Sequence, residues 1–412
     1  MPLAHVPFIA PWVLEPSGEW PGGGGPDQGT SPDGGKGPDA SAACLATRLR
    51  LMHPAPRGGN RLRWGVLATG RIAQKLSRAI VASQSGRLCA VASRSREGAA
   101  AFPRDGLPAD LRVLASYEEL LGDDSIDVVY VATPHSSHRQ WTLAAISAGK
   151  HVLCEKPLTV AAWEAEAVVK AARDKGVFLM EAFMYRAHPQ TWKLVELVRE
   201  GAVGEPRVLR ASFGMDIGDT QVGRLVERDL AGGGILDLGC YPASLVRLIA
   251  GAIERRAAEP EMVAAAARIN THAGTDDWSA ATMSFASGVV ASIECALRCR
   301  LERSLVIAGS EGLIRVENPW QLTAHDAITL HRPGRNPELI NVPASAAQAV
   351  LEVDIVGEAL HANIQEAWQM PWADSLGNMR TLDRWRAAVG LRYPADDDAP
   401  TPAGLDRADL PG

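Results

Sequence analysis

Three residues, Glu155, Lys156 and Pro157, follow directly on a short apolar run and are the first candidates for chemistry. The run His151–Cys154, after a Gly-Lys turn, is typical of a buried parallel strand. Glu155 and Lys156 would then lie at the carboxyl end of a sheet, where open α/β folds bind ligands. Pro157 restricts Lys156 to extended geometry. Taken alone, the two charges are explained equally well as a surface ion pair that closes a strand.

A glycine turn earlier in the chain predicts a dinucleotide site. The stretch Ala68-Thr-Gly70-Arg71-Ile72-Ala73 fits the dinucleotide fingerprint in its permissive form, with alanine at the third position. Gly70 lets the backbone approach a pyrophosphate, and the start of the following helix supplies N–H groups. Ala68 at the first glycine position weakens the match, and an ordinary strand-turn-helix is the alternative. Its place at the first strand of an alternating domain favours the dinucleotide.

The end of the second predicted strand indicates which dinucleotide binds. NAD sites usually carry an acidic residue there, about 20 residues after the fingerprint. This chain has Ser93-Arg94-Ser95-Arg96 instead. A hydroxyl and a guanidinium suit a 2′-phosphate, so the sequence favours NADP, with NAD as the alternative. A solvated loop with two arginines would explain the same residues without a cofactor.

A second candidate group lies after three consecutive glycines, Gly232 to Gly234. Asp237 and Tyr241 are four residues apart, which places both side chains on one face of a predicted helix. A phenol accepts a proton near neutral pH only beside a cation, and Lys156 is the candidate cation if two domains face each other across the cofactor. An isolated tyrosine here would more simply be a core residue.

His135 and His138 follow Thr133 and Pro134 at the end of another predicted strand. Their spacing suggests a metal pair, but no third ligand has a fitting spacing, so we predict no metal. Thr133, Pro134 and His138 are instead predicted to lie beside the cofactor. A Gly-x-Ser-x-Gly hydrolase motif is absent from the sequence.

The bulk composition is that of a globular enzyme. The chain has 412 residues, 46% hydrophobic and 22% charged, and a net charge of −6, which predicts neither nucleic acid nor anionic membrane as a partner. We find no apolar run of the roughly 18 residues needed to span a bilayer. Most of the six cysteines lie in apolar runs without zinc spacing, which predicts reduced thiols and a cytoplasmic location.

The elements that position these residues fall into four segments. Residues 1–60 are rich in glycine and proline and are predicted to be a disordered tail. Strands alternating with helices over residues 61–182 predict a doubly wound parallel sheet of the Rossmann type. Residues 183–393 are predicted to form an α+β domain with an open, mostly antiparallel sheet. Residues 394–412 are predicted to be frayed.

Together these motifs resemble the glucose-fructose oxidoreductase, inositol dehydrogenase and rhizopine-catabolism (Gfo/Idh/MocA) family. The resemblance covers about residues 61–393. Its most specific carrier is Ala148-Gly-Lys-His-Val-Leu-Cys-Glu-Lys-Pro157. The others are the glycine turn, Ala132-Thr-Pro134, Glu181-Ala-Phe-Met-Tyr-Arg186, and the triple glycine with Asp237 and Tyr241.

The resemblance implies an NAD(P)-dependent dehydrogenase or reductase acting on CH–OH groups of a sugar, polyol or cyclic diol. It implies that Lys156 contacts substrate and nicotinamide, with Pro157 in the cis form, and that Arg186 and Glu155 lie at the cofactor. Tyr241, where inositol-dehydrogenase-like members have histidine, resembles the branch of dimeric dihydrodiol and NADP-dependent xylose dehydrogenases, which uses tyrosine as acid/base.

Two further expectations follow from the resemblance. The open sheet of the second domain is expected to form a homodimer, although a tetramer is equally compatible with the sequence. The alternative function is a non-catalytic NADP-binding sensor on the same fold. Such a protein would be expected to lose Lys156 or Tyr241, and both are present.

Overall fold

A computed structural model describes residues 61–218 and 223–400. The predicted tail of residues 1–60 and the segment 401–412 lie outside the described residues. Two sheets organise the described chain, one of six strands and one of eight.

The six-stranded sheet is parallel throughout and has the order β3-β2-β1-β4-β5-β6. Its central strands are buried along their length, because helices cover a parallel sheet on both faces. The strand order reverses between β1 and β4, so a crevice opens there at the carboxyl ends of the strands. The strands are β1 Leu62–Leu67, β2 Gly86–Ala92, β3 Arg112–Leu114, β4 Val128–Val131, β5 His151–Glu155 and β6 Leu179–Ala182.

Helices connect these strands, as the alternating sequence pattern predicts. The helix after the glycine turn is strongly amphipathic and buries Leu76 and Ile80. The helices are α1 Arg71–Ala82, α2 Arg96–Ala100, α3 Tyr117–Leu121, α4 His138–Ser147 and α5 Ala162–Lys175, with a 3-10 turn at His135–Ser137.

The eight-stranded sheet has the order β14-β13-β12-β11-β7-β10-β9-β8, and only β7 and β10 pair in parallel. Along β7 and β10 buried and exposed residues alternate, so one face packs on the core and the other is open. The mostly antiparallel sheet confirms the predicted fold class. The strands are β7 Pro206–Gly214, β8 Met262–Ile269, β9 Asp276–Ser284, β10 Val290–Ala296, β11 Ser304–Gly309, β12 Leu313–Glu317, β13 Ala327–His331 and β14 Glu338–Asn341.

Helices of the second half pack on the inner face of this sheet, α8 on β7 and β10, and α10 on β8. Short 3-10 turns lie at Met184–Ala187 and Arg228–Leu230, and a π-helical turn, Ile235–Gly239, leads directly into α8. The helices are α6 Pro189–Arg199, α7 Gly223–Val226, α8 Cys240–Glu254, α9 Gln348–His361, α10 Trp372–Ala388 and α11 Pro394–Asp397.

Two details differ from the sequence analysis. Residues 394–397 are not frayed: they form α11, and Asp396 accepts hydrogen bonds from the buried Arg386. In the described residues, the helical stretch Arg228–Glu254 has the length and hydropathy of a membrane-crossing helix, and 83% of its most apolar window is buried inside the fold. Polar residues interrupt the apolar run of this stretch, so it was not predicted from the sequence.

Candidate active site

A cavity of about 720 Å³ lies at the carboxyl end of the parallel sheet. Its walls come from both halves of the chain, since strands β1, β2, β4 and β5 supply one side and residues after position 182 supply the other. The structure brings almost all of the predicted site residues to this cavity. They are Ala68, Gly70, Arg71, Ile72, Ser93, Arg94, Thr133, Pro134, His138, Glu155, Lys156, Asp237 and Tyr241.

The glycine turn forms one end of the cavity. Ala68 has a φ of +93°, a conformation that glycine adopts more easily, which explains why a glycine usually stands at this first position. A Cβ atom placed on Gly70 would meet no other atom within 4 Å, so the backbone is open to a ligand there. Helix α1 begins at Arg71, has no side-chain N-cap and has no acidic residue in its first turn. Such a helix start suits a pyrophosphate.

Three basic side chains, Arg71, Lys75 and Arg94, line the same part of the cavity. Ser93 lies at the end of β2, beside Arg94, where an acidic residue would select NAD. The turn, the uncapped helix and these charges therefore fit a dinucleotide that carries an additional phosphate.

Lys156 lies at the other end of the cavity and is largely buried. Its Nζ donates to the Asp237 carbonyl oxygen at 2.6 Å and lies 3.3 Å from Asp237 Oδ1. The same Nζ lies 5.0 Å from the centroid of the Tyr241 ring. The Lys156–Pro157 peptide bond is cis, as the resemblance implies.

Asp237 and Tyr241 both reach the cavity, but not from one α-helix. Asp237 lies in the π-helical turn and Tyr241 in the first turn of α8. Gly233, with φ of +108°, starts this segment, and Asp276 Oδ2 accepts a hydrogen bond from the Ile235 N–H at 2.8 Å. The triple glycine (residues 232–234) and Asp276 thus fix the helix start that places Asp237 beside Lys156.

Burial and charge set the protonation states of this group. Burial opposes the charged form of Lys156, but Asp237 and Tyr241 raise its pKa well above the usual value. Burial disfavours the Asp237 carboxylate, yet Lys156, Arg224 and His135 hold its pKa well below its usual range. Burial raises the pKa of Tyr241, and Lys156 partly offsets that effect. At neutral pH the group therefore contains an ammonium, a carboxylate and a neutral phenol.

The two histidines are neutral and lie beside this group. Burial lowers the pKa of His135 to about 3 and that of His138 to about 4. His135 Nε2 lies 3.8 Å from Asp237 Oδ1, and the His138 ring contacts the carbonyl oxygens of Pro157 and Thr133. Because a neutral imidazole has one N–H, His138 donates to only one of these carbonyls. Within residues 61–218 and 223–400 no group of three His, Cys, Asp or Glu side chains is arranged to hold a metal ion.

Glu155 lines the cavity and accepts a hydrogen bond from the hydroxyl of the fully buried Tyr130. Burial raises the pKa of Glu155, while Lys156 and the Tyr130 hydroxyl act in the opposite direction. The side chain of Glu155 is therefore held by Tyr130 of the neighbouring strand β4 and is not an exposed partner of Lys156.

Arg186 is the predicted cofactor residue that the structure does not bring to the cavity. Its side chain is 1% exposed. It donates to the Tyr185 hydroxyl at 2.9 Å, to Ser244 Oγ at 2.9 Å and to Asp374 Oδ2 at 2.6 Å. The sequence motif placed it next to site residues, but its charge is neutralised inside the core.

Several cavity residues were not predicted from the sequence. Lys75 lies one helical turn after Arg71, and this spacing could have identified it. Two of the others, Met184 and Leu238, lie inside motifs that were identified for neighbouring residues, and the rest come from elements far apart in the chain, where no local pattern marks them. These others are Tyr117, Met184, Phe213, Met215, Arg224, Leu238, Trp320, Gln321 and Gln348.

Aromatic rings form the wall behind Tyr241. The ring centroids of Phe213 and Trp320 lie 5.2 Å and 5.9 Å from that of Tyr241, and the Phe213 and Trp320 planes are 15° apart. Gln348 holds Trp320 in place, since it accepts from the Leu322 N–H and donates to the Trp320 carbonyl. The Lys156 end of the cavity thus combines a polar group with a flat apolar wall.

Comparison with known families assigns both halves of the chain. Residues 62–183 match the oxidoreductase family with an NAD-binding Rossmann fold, and residues 191–315 match the GFO/IDH/MocA C-terminal domain.

Curated relatives match over most of the chain. The trans-1,2-dihydrobenzene-1,2-diol dehydrogenase of Mus musculus is 32% identical, and the match covers 81% of this chain and 99% of the mouse protein. The enzyme of the same name from Homo sapiens is 30% identical over the same shares of the two chains.

A solved structure gives the same result. The 3-ketoreductase KijD10 from Actinomadura kijaniata, in complex with NADP and TDP-benzene, is 28% identical with a TM-score of 0.72, over 80% of this chain and 98% of that one. The two family domains, the curated relatives and the Lys156–Asp237–Tyr241 cavity agree: this chain belongs to the Gfo/Idh/MocA family and is an NAD(P)-dependent oxidoreductase that acts on CH–OH groups.

Proposed function

We propose that the protein interconverts a secondary alcohol and a ketone on a cyclic diol, polyol or sugar, with NADP as the cofactor. The observation that carries this proposal is the position of Lys156, Asp237 and Tyr241 in the same cavity as Gly70 and Arg94. One end of the cavity suits the phosphates of NADP, and the other offers a proton donor beside a fixed cation.

NADP, when bound, accepts a hydride from the carbinol carbon, and NADPH returns one to the carbonyl carbon. Tyr241 exchanges the proton of the substrate oxygen. As a neutral phenol it donates that proton during reduction, and during oxidation it must accept one. Lys156 stabilises the phenolate form, because its ammonium lies against the ring. Asp237 orients Lys156 through the two contacts at its carbonyl and carboxylate oxygens.

The substrate class rests on the cavity wall and on the relatives. Phe213 and Trp320 are almost fully buried but line the cavity, so this part of its wall is apolar and suits the carbon skeleton of a cyclic substrate. The curated relatives are named for trans-1,2-dihydrobenzene-1,2-diol, and KijD10 is a 3-ketoreductase whose structure contains TDP-benzene. Both names fit a cyclic carbinol as the reacting group.

The open face of the eight-stranded sheet supports a homodimer as part of this proposal. Val208 and Val290 are exposed and are cross-strand partners on that face. Trp278 of β9 and Met262 of β8 are also exposed. A sheet face with large exposed apolar residues suits burial against a second copy. The cytoplasmic location inferred from the cysteines stays a prediction.

An assay of NADPH formation tests the proposed function. A panel of cyclohexanediols, trans-dihydrodiols, aldoses and inositols would be offered with NADP and, separately, with NAD, and the corresponding ketones with NADPH. We expect turnover with at least one cyclic carbinol. NADPH binding by fluorescence, without turnover on any member of the panel in either direction, would instead favour a sensor.

A further inference from the structure

The basic side chains of the cavity divide into two groups. Arg71, Lys75 and Arg94 belong to α1 and to the end of β2, where the phosphates of the dinucleotide are expected. Lys156 and Arg224 lie together at the other end, where both contact the same oxygen, Asp237 Oδ1, at 3.3 Å. That end therefore has two cations and one carboxylate, besides Glu155, which lies against Tyr130.

The two cations differ in burial and in the contacts that they make with the protein. Lys156 is largely buried, donates to Asp237 and lies on the Tyr241 ring, so its charge serves the reacting group. The side chain of Arg224 is 47% exposed although it lines the cavity, and its Nη1 makes a long contact to an oxygen that Lys156 already neutralises. Within residues 61–218 and 223–400, the contact with Asp237 is the one ion pair that Arg224 makes.

A guanidinium in this position has donors left for a ligand. Arginine presents five N–H groups in a planar fork that matches a carboxylate, and two parallel hydrogen bonds to a carboxylate are stronger than hydrogen bonds between neutral groups. A substrate that fills the cavity would also remove water from the exposed part of Arg224, which is costly unless the substrate supplies an anion. A carboxylate fits better than a phosphate dianion, because Asp237 lies beside Arg224.

We infer that the ring of the substrate carries a carboxylate and that Arg224 binds this carboxylate. This inference rests on the proposed function and narrows its substrate class to acidic cyclic carbinols, such as uronates or hydroxylated cyclohexane or cyclohexadiene carboxylates. The ammonium of Lys156 and the phenol of Tyr241 then act on a hydroxyl of that ring, and Arg224 determines specificity.

The test compares two probes of equal shape and different charge. Benzoate and benzamide each have an aromatic ring and a planar three-atom substituent, but only benzoate is charged at pH 7.5. Their dissociation constants would be measured by calorimetry on the full chain saturated with NADPH. The proteins are the wild type, Arg224→Gln, Arg224→Lys and, as a control for an exposed cation outside the cavity, Arg96→Gln.

We expect the wild type and Arg96→Gln to bind benzoate about tenfold more tightly than benzamide. Arg224→Gln should lose that preference, and Arg224→Lys should keep part of it, since the charge remains and the fork does not. An equal preference in wild type and Arg224→Gln would overturn the inference, because the carboxylate would then be held elsewhere. Tighter binding of phenyl phosphate than of benzoate would overturn the assignment of a carboxylate.

The outcome of this binding test can be distinguished from the outcome of the turnover assay that tests the proposed function. Turnover of neutral cyclic diols without any preference for benzoate leaves the proposed function standing and rejects the role of Arg224. A preference for benzoate that depends on Arg224, without turnover on the carbinol panel or on carboxylated carbinols such as uronates, supports the anion site and counts against the proposed function.

Discussion

Two groups of charges in this molecule have the same arrangement of charges and different surroundings. In each, one carboxylate lies between two cations: Asp237 with Lys156 and Arg224, and Asp374 with Arg186 and Arg247. The second group is enclosed, since Arg186 and Arg247 have 1% and 0% of their side chains exposed. The first opens onto the cavity, where Arg224 is half exposed and Lys156 faces a tyrosine ring.

This difference in exposure suggests different roles, stability for the Arg186 group and catalysis for the Lys156 group. Arg186 also donates to Tyr185 and Ser244, so its donors are used within the core and it joins the segment after β6 to α8 and α10. Lys156 contributes to the folded state as well, but in the proposed mechanism it also places a charge beside the tyrosine that exchanges a proton with the substrate. Variants of the Arg186 group should therefore change stability, and variants of the Lys156 group should change turnover.

The largest stability effect is expected for Arg186→Met. The change leaves Asp374 with one cation and the Tyr185 hydroxyl oxygen without its donor, while Ser244 Oγ keeps the hydrogen bond from Tyr185. The free energy of unfolding should therefore fall by about 3 to 5 kcal/mol. Urea unfolding measures this value. Arg87→Met, which removes an exposed pair with Asp110, is the control and should cost about 1 kcal/mol or less. Equal losses in the two variants would mean that the enclosed group does not stabilise the fold.

A smaller effect on stability, which depends on pH, is expected at Asp276, which lies against the triple glycine (residues 232–234). Burial raises the pKa of Asp276 to about 7 from 3.8. Because the folded state binds this proton more tightly than the unfolded state, the stability contribution is present below pH 4 and is lost as pH rises through 7. Asp276→Asn keeps an acceptor for Ile235 and does not titrate.

Relative to the asparagine variant, the wild type should lose about 3 kcal/mol of stability between pH 5 and pH 8. Thermal unfolding of both proteins across that range measures the difference. Parallel curves would show that Asp276 does not titrate within this window.

The smallest of these effects concerns the phosphate end of the cavity. Arg94→Gln should raise the KM for NADP about tenfold and leave the KM for NAD nearly unchanged, because only NADP has a 2′-phosphate. Arg96→Gln is the matched control, since Arg96 lies two residues further on and does not line the cavity. An equal change in both variants would mean that general positive charge, rather than contact, attracts the cofactor.

The sequence was sufficient for the fold class because both patterns are local. Strands alternating with helices predicted the parallel sheet, and consecutive strands predicted the mostly antiparallel one. The strands β3, β13 and β14 were missed. β3 and β14 are short edge strands of three and four residues, and β14 has no buried residue, so neither has a pronounced apolar pattern. β13 does alternate, but it follows a loop rich in turn residues.

The candidate site was predictable where one motif carries both the residue and its geometry. The glycine turn, Glu155-Lys156-Pro157 and the triple glycine each lie at the start or end of a strand or helix, so their side chains could be placed. Arg186 shows the limit, because its motif did not indicate that Asp374, 188 residues later, would neutralise it. Arg224, Phe213 and Trp320 reach the cavity only through the packing of the second half of the chain.

Lys156→Met tests whether the cation beside Tyr241 acts in proton exchange. The variant removes the charge and keeps much of the volume of the side chain. NADPH fluorescence titration and thermal unfolding would show that the variant still binds its cofactor and is folded. On the best carbinol of the panel, kcat should fall at least a hundredfold while the dissociation constant for NADPH stays within about threefold. A kcat near that of the wild type would contradict the account.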